Sequence, residues 1–174
     1  MAKCAPAPKG DRGSAEDAVA SFACLYYHLV FATKGREPLV TAEIRPRLWA
    51  YIGGVIGSQS GVALAIGGTA DNVHILASLP KNRTIPDLLR EIKANSSRWV
   101  HETFPHPRFA WQDGYAAFTI SVRGLPQVKA YIERQEEHHR EVGFEDEFRS
   151  FLAEHGVECD ERYVWGKDCR PSGA

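Results

Sequence analysis

The 174-residue chain has few cysteines, no long apolar run, no phosphate-loop motif and almost no net charge. Cys4, Cys24, Cys159 and Cys169 form no C-x-x-C pair, which disfavours a zinc ribbon or disulfide frame and favours reduced thiols. No apolar stretch approaches the roughly 20 residues that cross a bilayer, and residues 1–17 lack the apolar core of a signal peptide. A cytoplasmic protein without a membrane partner is therefore expected. Gly53-Gly54-Val55-Ile56-Gly57 lacks the Lys-Ser/Thr of a P-loop and falls in a helical stretch, so a nucleotide cofactor is disfavoured. The net charge of -1 conceals an asymmetry: residues 1–132 carry 15 Lys and Arg against 10 Asp and Glu, and residues 133–174 carry 6 against 12. A mildly basic body suits a polyanionic partner, although two ordinary solvated surfaces would account for the same numbers.

With 44% hydrophobic residues, the chain can bury the core of one domain. The expected division is a disordered arm at 1–20, a single domain at 21–166 and a disordered tail at 167–174. Phe22 to Phe31 is apolar on both faces, as a central strand requires. Thr41 is a plausible N-cap for a helix carrying Ile44, Leu48, Ile52, Val55 and Ile56. Val62 to Ile66 and Asn72 to Leu79 read as a hairpin, and Thr84 with Asp87 as a capping box opening a second helix. Phe109 to Val122 reads as an aromatic strand bent or bulged at Gly114, followed by a helix with Pro126 in its first turn. Phe144 to His155 suggests a further short helix, and Val157 to Gly166 a strap. The order predicts an α+β fold: a ferredoxin-like split βαβ sandwich, with an antiparallel sheet, helices on one face and an added C-terminal tyrosine-bearing helix.

Gly67 to Leu79 is the stretch around which chemistry can be organised. Strand alternation puts Asn72 and His74 on one face. A histidine on an apolar strand is more often a satisfied core residue than a ligand. Tyr131 and Gln135 lie one helical turn apart, yet Val128, Tyr131, Ile132 and Gln135 also describe an ordinary buried stripe. Gln135 is harder to dismiss, since a buried amide without partners costs about 1–3 kcal/mol; a ligated cation would be such a partner. Neighbouring residues in Glu136-Glu137-His138-His139 diverge around a helix, which favours a solvated face over a metal site.

Four ordered segments, Tyr27-His28-Leu29-Val30-Phe31-Ala32-Thr33-Lys34, Asp71-Asn72-Val73-His74-Ile75-Leu76, Trp111-Gln112-Asp113-Gly114-Tyr115 and Tyr131 to His139, together resemble the single-tyrosine transposases of insertion-sequence-200-like elements, including the REP-associated tyrosine transposases. The resemblance spans about Phe22 to Gly166. It implies a His-hydrophobic-His (HUH) nuclease that cuts and rejoins single-stranded DNA through a 5′-phosphotyrosine. It further implies Tyr131 as nucleophile, with Asn72, His74 and Gln135 holding Mg²⁺ or Mn²⁺. Asn72 stands where the family pattern has its first histidine. Single-stranded DNA, with or without a hairpin, would be held by Lys34, Arg36, Arg83, Lys93 and Arg98. The resemblance also implies a homodimer, for which Phe109 to Val122 offers a joining edge. Two other readings compete: a DNA-binding protein of the same fold that does not cut, separated from the first by Asn72, and a ferredoxin-like domain whose motifs are only core.

Overall fold

The computed structural model describes residues 22–135, 149–153 and Gly156. The expected arm at 1–20, the Glu136 to His139 run, the strap at 157–166 and the tail at 167–174 lie outside these residues. Of the helix expected at 144–155, residues 149–153 are described and are helical.

Strand β1, Tyr26–Ala32, occupies the interior of a four-stranded antiparallel sheet. It pairs with β3, Asn72–Ser78, on one side and with β4, Ala116–Thr119, on the other. Strand β2, Val62–Gly67, lies outside β3, giving the order β2-β3-β1-β4. Helix α1, Arg45–Ser58, connects β1 to β2 across β3, and helix α2, Ile85–Thr103, connects β3 to β4 across β1. These two interleaved crossovers are the split βαβ arrangement the sequence predicts. The doubly apolar composition of β1 follows from its place, because both its faces are covered.

Alternation divides each strand between two environments. Leu29, Phe31, Val73, Ile75 and Ala77 join Leu48, Ile52, Leu88, Leu89 and Ile92 in the main core beneath α1 and α2. The intervening residues His28, Val30, His74 and Leu76 occupy the opposite face, where Val30 is opposite His74 and His28 opposite Leu76. Thr84 and Asp87 form the expected capping box: the Asp87 N–H donates to Thr84 Oγ1 at 3.3 Å, and the Thr84 hydroxyl donates to Asp87 Oδ2 at 2.6 Å. Thr41 instead shapes the turn before α1, accepting Ile44 N–H on its hydroxyl at 3.4 Å and Arg45 N–H on its carbonyl at 3.0 Å.

The aromatic strand expected from Phe109 to Val122 is much shorter, with only Ala116–Thr119 laddered against β1 and a single bridge joining Thr33 to Trp111. Phe109 and Trp111 turn into the core, edge-on to one another at 5.1 Å, and Trp111 is edge-on to Phe31 at 4.9 Å. The carbonyls of Gln112, Asp113 and Gly114 then turn to the Lys93 ammonium at 2.9, 3.1 and 2.8 Å. This loop separates the Thr33–Trp111 bridge from β4, so the strand is interrupted where the sequence predicts a bend or bulge at Gly114.

Candidate active site

Helix α3, Leu125–Glu133, packs against β2 and β3. Its close approach depends on Gly67, where any Cβ would collide with the carbonyl oxygen of Ile132. Gly67 is opposite His74 in the β2–β3 register, so the same contact that seats α3 sets its distance from the histidine strand. The sequence predicts an unbroken helix from Tyr131 to Gln135. Instead the helix pauses at Arg134 (φ -105°, ψ 13°), whose N–H bonds the Tyr131 carbonyl at 3.1 Å. Gln135 is nevertheless buried at 1% exposure, beyond the fully packed Ile132.

The site therefore draws His74 from β3, His28 from β1, and Tyr131 from α3. His74 is 0% and His28 2% exposed, and His28 Nε2 lies 3.0 Å from His74 Nδ1. The half-buried Tyr131 ring meets both imidazoles edge-on, with centroids 5.8 Å from His74 and 6.1 Å from His28. Phe151 stands 5.3 Å from His28 and 5.4 Å from Tyr131, again edge-on, and Phe118 lies 6.3 Å from His28. A phenol and two imidazoles are thus brought together beside the Phe118 and Phe151 rings, with the buried Gln135 amide one turn further along the chain from Tyr131.

Asn72 is on the same strand face as His74, but its side chain closes the preceding turn. Its Oδ1 accepts Thr69 N–H at 3.3 Å, while its Nδ2 donates to Thr69 Oγ1 at 2.8 Å and Asp71 Oδ1 at 3.3 Å. Both ends of the amide are engaged within the Thr69 to Asn72 turn. Among the described residues, no cluster of three or more His, Cys, Asp or Glu side chains is arranged to hold a metal ion.

The five basic residues do not form one surface of equivalent charges. Lys34 and Arg98 are exposed, whereas Arg36 pairs with Asp71 at 2.7 Å and Arg83 with Glu91 at 3.6 Å. Arg36 also adopts φ +59°, in the left-handed region, so its ion pair is part of a constrained turn after β1. Lys93 serves the 112–114 loop and lies over the Phe31 and Tyr115 rings at 5.0 and 5.6 Å. Burial pushes its amine down to about 8, with the Asp113 charge opposing the shift.

His28 and Phe151 are site residues that single-residue reading passes over. His28 sits inside a strand whose other side chains are nearly all apolar, and Phe151 comes from a segment remote in sequence. For His28 the available signal is its place in the Tyr27 to Lys34 segment; for Phe151 no local signal exists.

A sheet face that gathers two histidines beneath a tyrosine-bearing helix sets a phenol beside groups able to act as bases or ligands. The family described as transposase IS200 like matches residues 21–135, about two thirds of the chain. The chain belongs to this family, whose members cut and rejoin DNA. It is 25% identical over 117 residues to the ISDra2 transposase TnpA of Deinococcus radiodurans, a match covering 64% of this chain and 84% of the relative. It is 24% identical over 115 residues to the transposase for insertion sequence element IS200 of Salmonella typhimurium, covering 63% and 75%. A crystal structure of a provisionally assigned transposase from Deinococcus radiodurans R1 superposes with a TM-score of 0.56 and 25% identity, over 69% of this chain and 97% of that one. The REP-associated tyrosine transposase bound to a REP hairpin superposes with a TM-score of 0.53 and 17% identity, over 73% and 76%. The second likeness supports the fold. No helix among the described residues is long and apolar enough to cross a membrane.

Proposed function

We propose that this chain cuts and rejoins single-stranded DNA, with Tyr131 as the nucleophile. The observation carrying this reading is the placement of the Tyr131 ring 5.8 Å from that of His74, on a sheet face shared with the rings of His28, Phe118 and Phe151. The Tyr131 oxygen would bond to phosphorus as the bond from phosphorus to the 3′ oxygen breaks. The phenol gives up its proton and the departing oxygen takes one up, leaving a 5′-phosphotyrosine and a free 3′-OH. Because the ester is exchanged instead of hydrolysed, attack by a 3′-OH reverses the step without ATP.

His74 and Gln135 offer the imidazole nitrogen and amide oxygen that suit a hard divalent cation such as Mg²⁺ or Mn²⁺, and Asn72 would add a second amide oxygen on turning from its bond with Thr69 N–H. All three are neutral, which leaves the charge of the cation for the phosphate. When bound, such a cation supplies Lewis-acid polarisation of the phosphoryl oxygens. Tyr131 supplies the attacking atom, and the surrounding rings limit water that could compete with it. Lys34 and Arg98 are the exposed cations best suited to the DNA backbone, with Arg36, Arg83 and Lys93 recruited only by giving up present partners. The hairpin named with the REP-associated structure makes hairpin-bearing single strands the substrate class to try first.

The engagement of Asn72 in its turn favours a second reading, a protein that binds such DNA without cutting it. A denaturing gel with labelled single-stranded DNA and Mn²⁺ separates the two. The first reading expects a covalent adduct from the wild type and none from Tyr131→Phe. DNA binding without an adduct leaves the second.

We further propose a homodimer joined through the outer edge of β4. Its four residues are far fewer than the expected fourteen-residue edge from Phe109 to Val122, so flanking segments would have to share the interface. Light scattering at tens of micromolar that shows only monomer would remove this proposal. Recovered cleavage on mixing Tyr131→Phe with His74→Ala would indicate a site completed by the partner.

A further inference from the structure

The proposed reaction gives His28 no task, although it lies at the centre of the sheet with 2% exposure. Burying an imidazole is unfavourable unless its polar atoms are bonded, and the contact between His28 Nε2 and His74 Nδ1 at 3.0 Å meets that requirement for one nitrogen of each ring. Two neutral imidazoles can share this contact in two ways, since one nitrogen must carry the hydrogen and the other a lone pair. If His28 donates, His74 carries its hydrogen on Nε2 and has no lone pair there. If His74 donates through Nδ1, its Nε2 keeps the lone pair. Only the second arrangement makes His74 Nε2 a ligand.

We propose that His28 is a positioning residue, accepting the Nδ1–H of His74 and thereby holding His74 in the tautomer whose Nε2 can bind a cation. The inference rests on the reading of His74 as a ligand. Histidines that bind metals are commonly oriented through their second nitrogen by a carboxylate, a carbonyl or water; here another imidazole takes that place. A neutral acceptor adds no negative charge beside an incoming phosphodiester, as a carboxylate would. The Phe151 and Tyr131 edges at 5.3 and 6.1 Å, with Phe118 at 6.3 Å, fix the His28 ring in place. Their exclusion of water strengthens the hydrogen bond.

The test uses the full chain and two independent readouts. In metal-free protein at about pH 8, where an ordinary imidazole is neutral, ¹⁵N NMR should show His74 protonated at Nδ1. Protonation at Nε2 overturns the proposal. Calorimetry with Mn²⁺ should show affinity falling about 10–100-fold in His28→Phe, which keeps a ring and removes the acceptor. His28→Gln, which restores an acceptor, should recover most of the loss. Equal Mn²⁺ affinity in wild type and His28→Phe, with circular dichroism unchanged, also overturns the proposal. Should His28→Phe fail to fold, the wild-type spectrum still decides between the two tautomers, and near-wild-type Mn²⁺ affinity in His28→Gln is the result expected. If wild type and His74→Ala bind Mn²⁺ equally poorly, the ligand reading fails by itself; the metal-free tautomer still decides for or against the role of His28.

Discussion

The two faces of the central sheet use the same strands for different ends. Leu29, Phe31, Val73, Ile75 and Ala77 point into the main core beneath α1 and α2, with no polar side chain among them. One residue away along the same backbone, His28 and His74 face Tyr131 and a smaller cluster of Val30, Ala116, Phe118 and Leu152. The first face is suited to stability and the second to chemistry. Strand alternation allows a rigid core to aim the reactive side chains directly, without an intervening loop.

The sharpest separation should come from Tyr131→Phe. It should lower adduct formation by about 10³-fold or more, while the midpoint of urea unfolding stays near that of wild type. An adduct of unchanged yield would remove Tyr131 as nucleophile. Ile75→Ala makes the opposite cut: it should lower stability by about 2–5 kcal/mol, leaving the adduct yield per folded molecule intact.

Gly67→Ala should blur the division because it acts where α3 meets the sheet. Relieving the collision with Ile132 must displace the helix, lowering stability by about 1–3 kcal/mol and moving Tyr131 from His74. Cleavage per folded molecule should therefore fall as well; full activity would show that the Gly67 contact does not set the geometry of the site. Lys93→Met should lower stability by about 1–2 kcal/mol through loss of the loop carbonyl contacts, with little change in DNA affinity. Unchanged stability with weakened DNA binding would restore Lys93 to the DNA surface.

Asn72→His should produce the smallest change. It gives up the local turn bonds, at about 1 kcal/mol of stability, and adds an imidazole, a better Mn²⁺ donor than an amide. Calorimetry should show tighter Mn²⁺ binding and the adduct assay a faster cut. No gain in affinity would mean that position 72 is not a ligand, favouring the non-cutting alternative.

Much of the architecture is legible in the sequence because it depends on short-range pattern. The doubly apolar β1, the β2–β3 hairpin, the α1 stripe and the Thr84/Asp87 box each follow from residues within a few positions of one another. The aromatic stretch from Phe109 misleads for a physical reason. Its composition suits a strand, but the 112–114 carbonyls turn instead to Lys93, which lies on a helix 19 to 21 residues earlier in sequence. The local role of Asn72 is equally hidden, since strand alternation gives direction without saying which turn atoms compete for an amide.

The amino-acid sequence by itself determined which residue types share a strand face or a helix turn, because backbone periodicity is a local property: Asn72 with His74, and Tyr131 near Gln135. Its four ordered segments were also sufficient to suggest the family. Tertiary structure decided what those faces meet. The diagonal approach of His28 to His74 across β1 and β3, the seating of α3 on Gly67 and the closure of Phe151 over the histidines are all contacts between distant segments. Such contacts depend on strand register and the separation of packed elements, which become defined only when the whole sheet and its helices share one core.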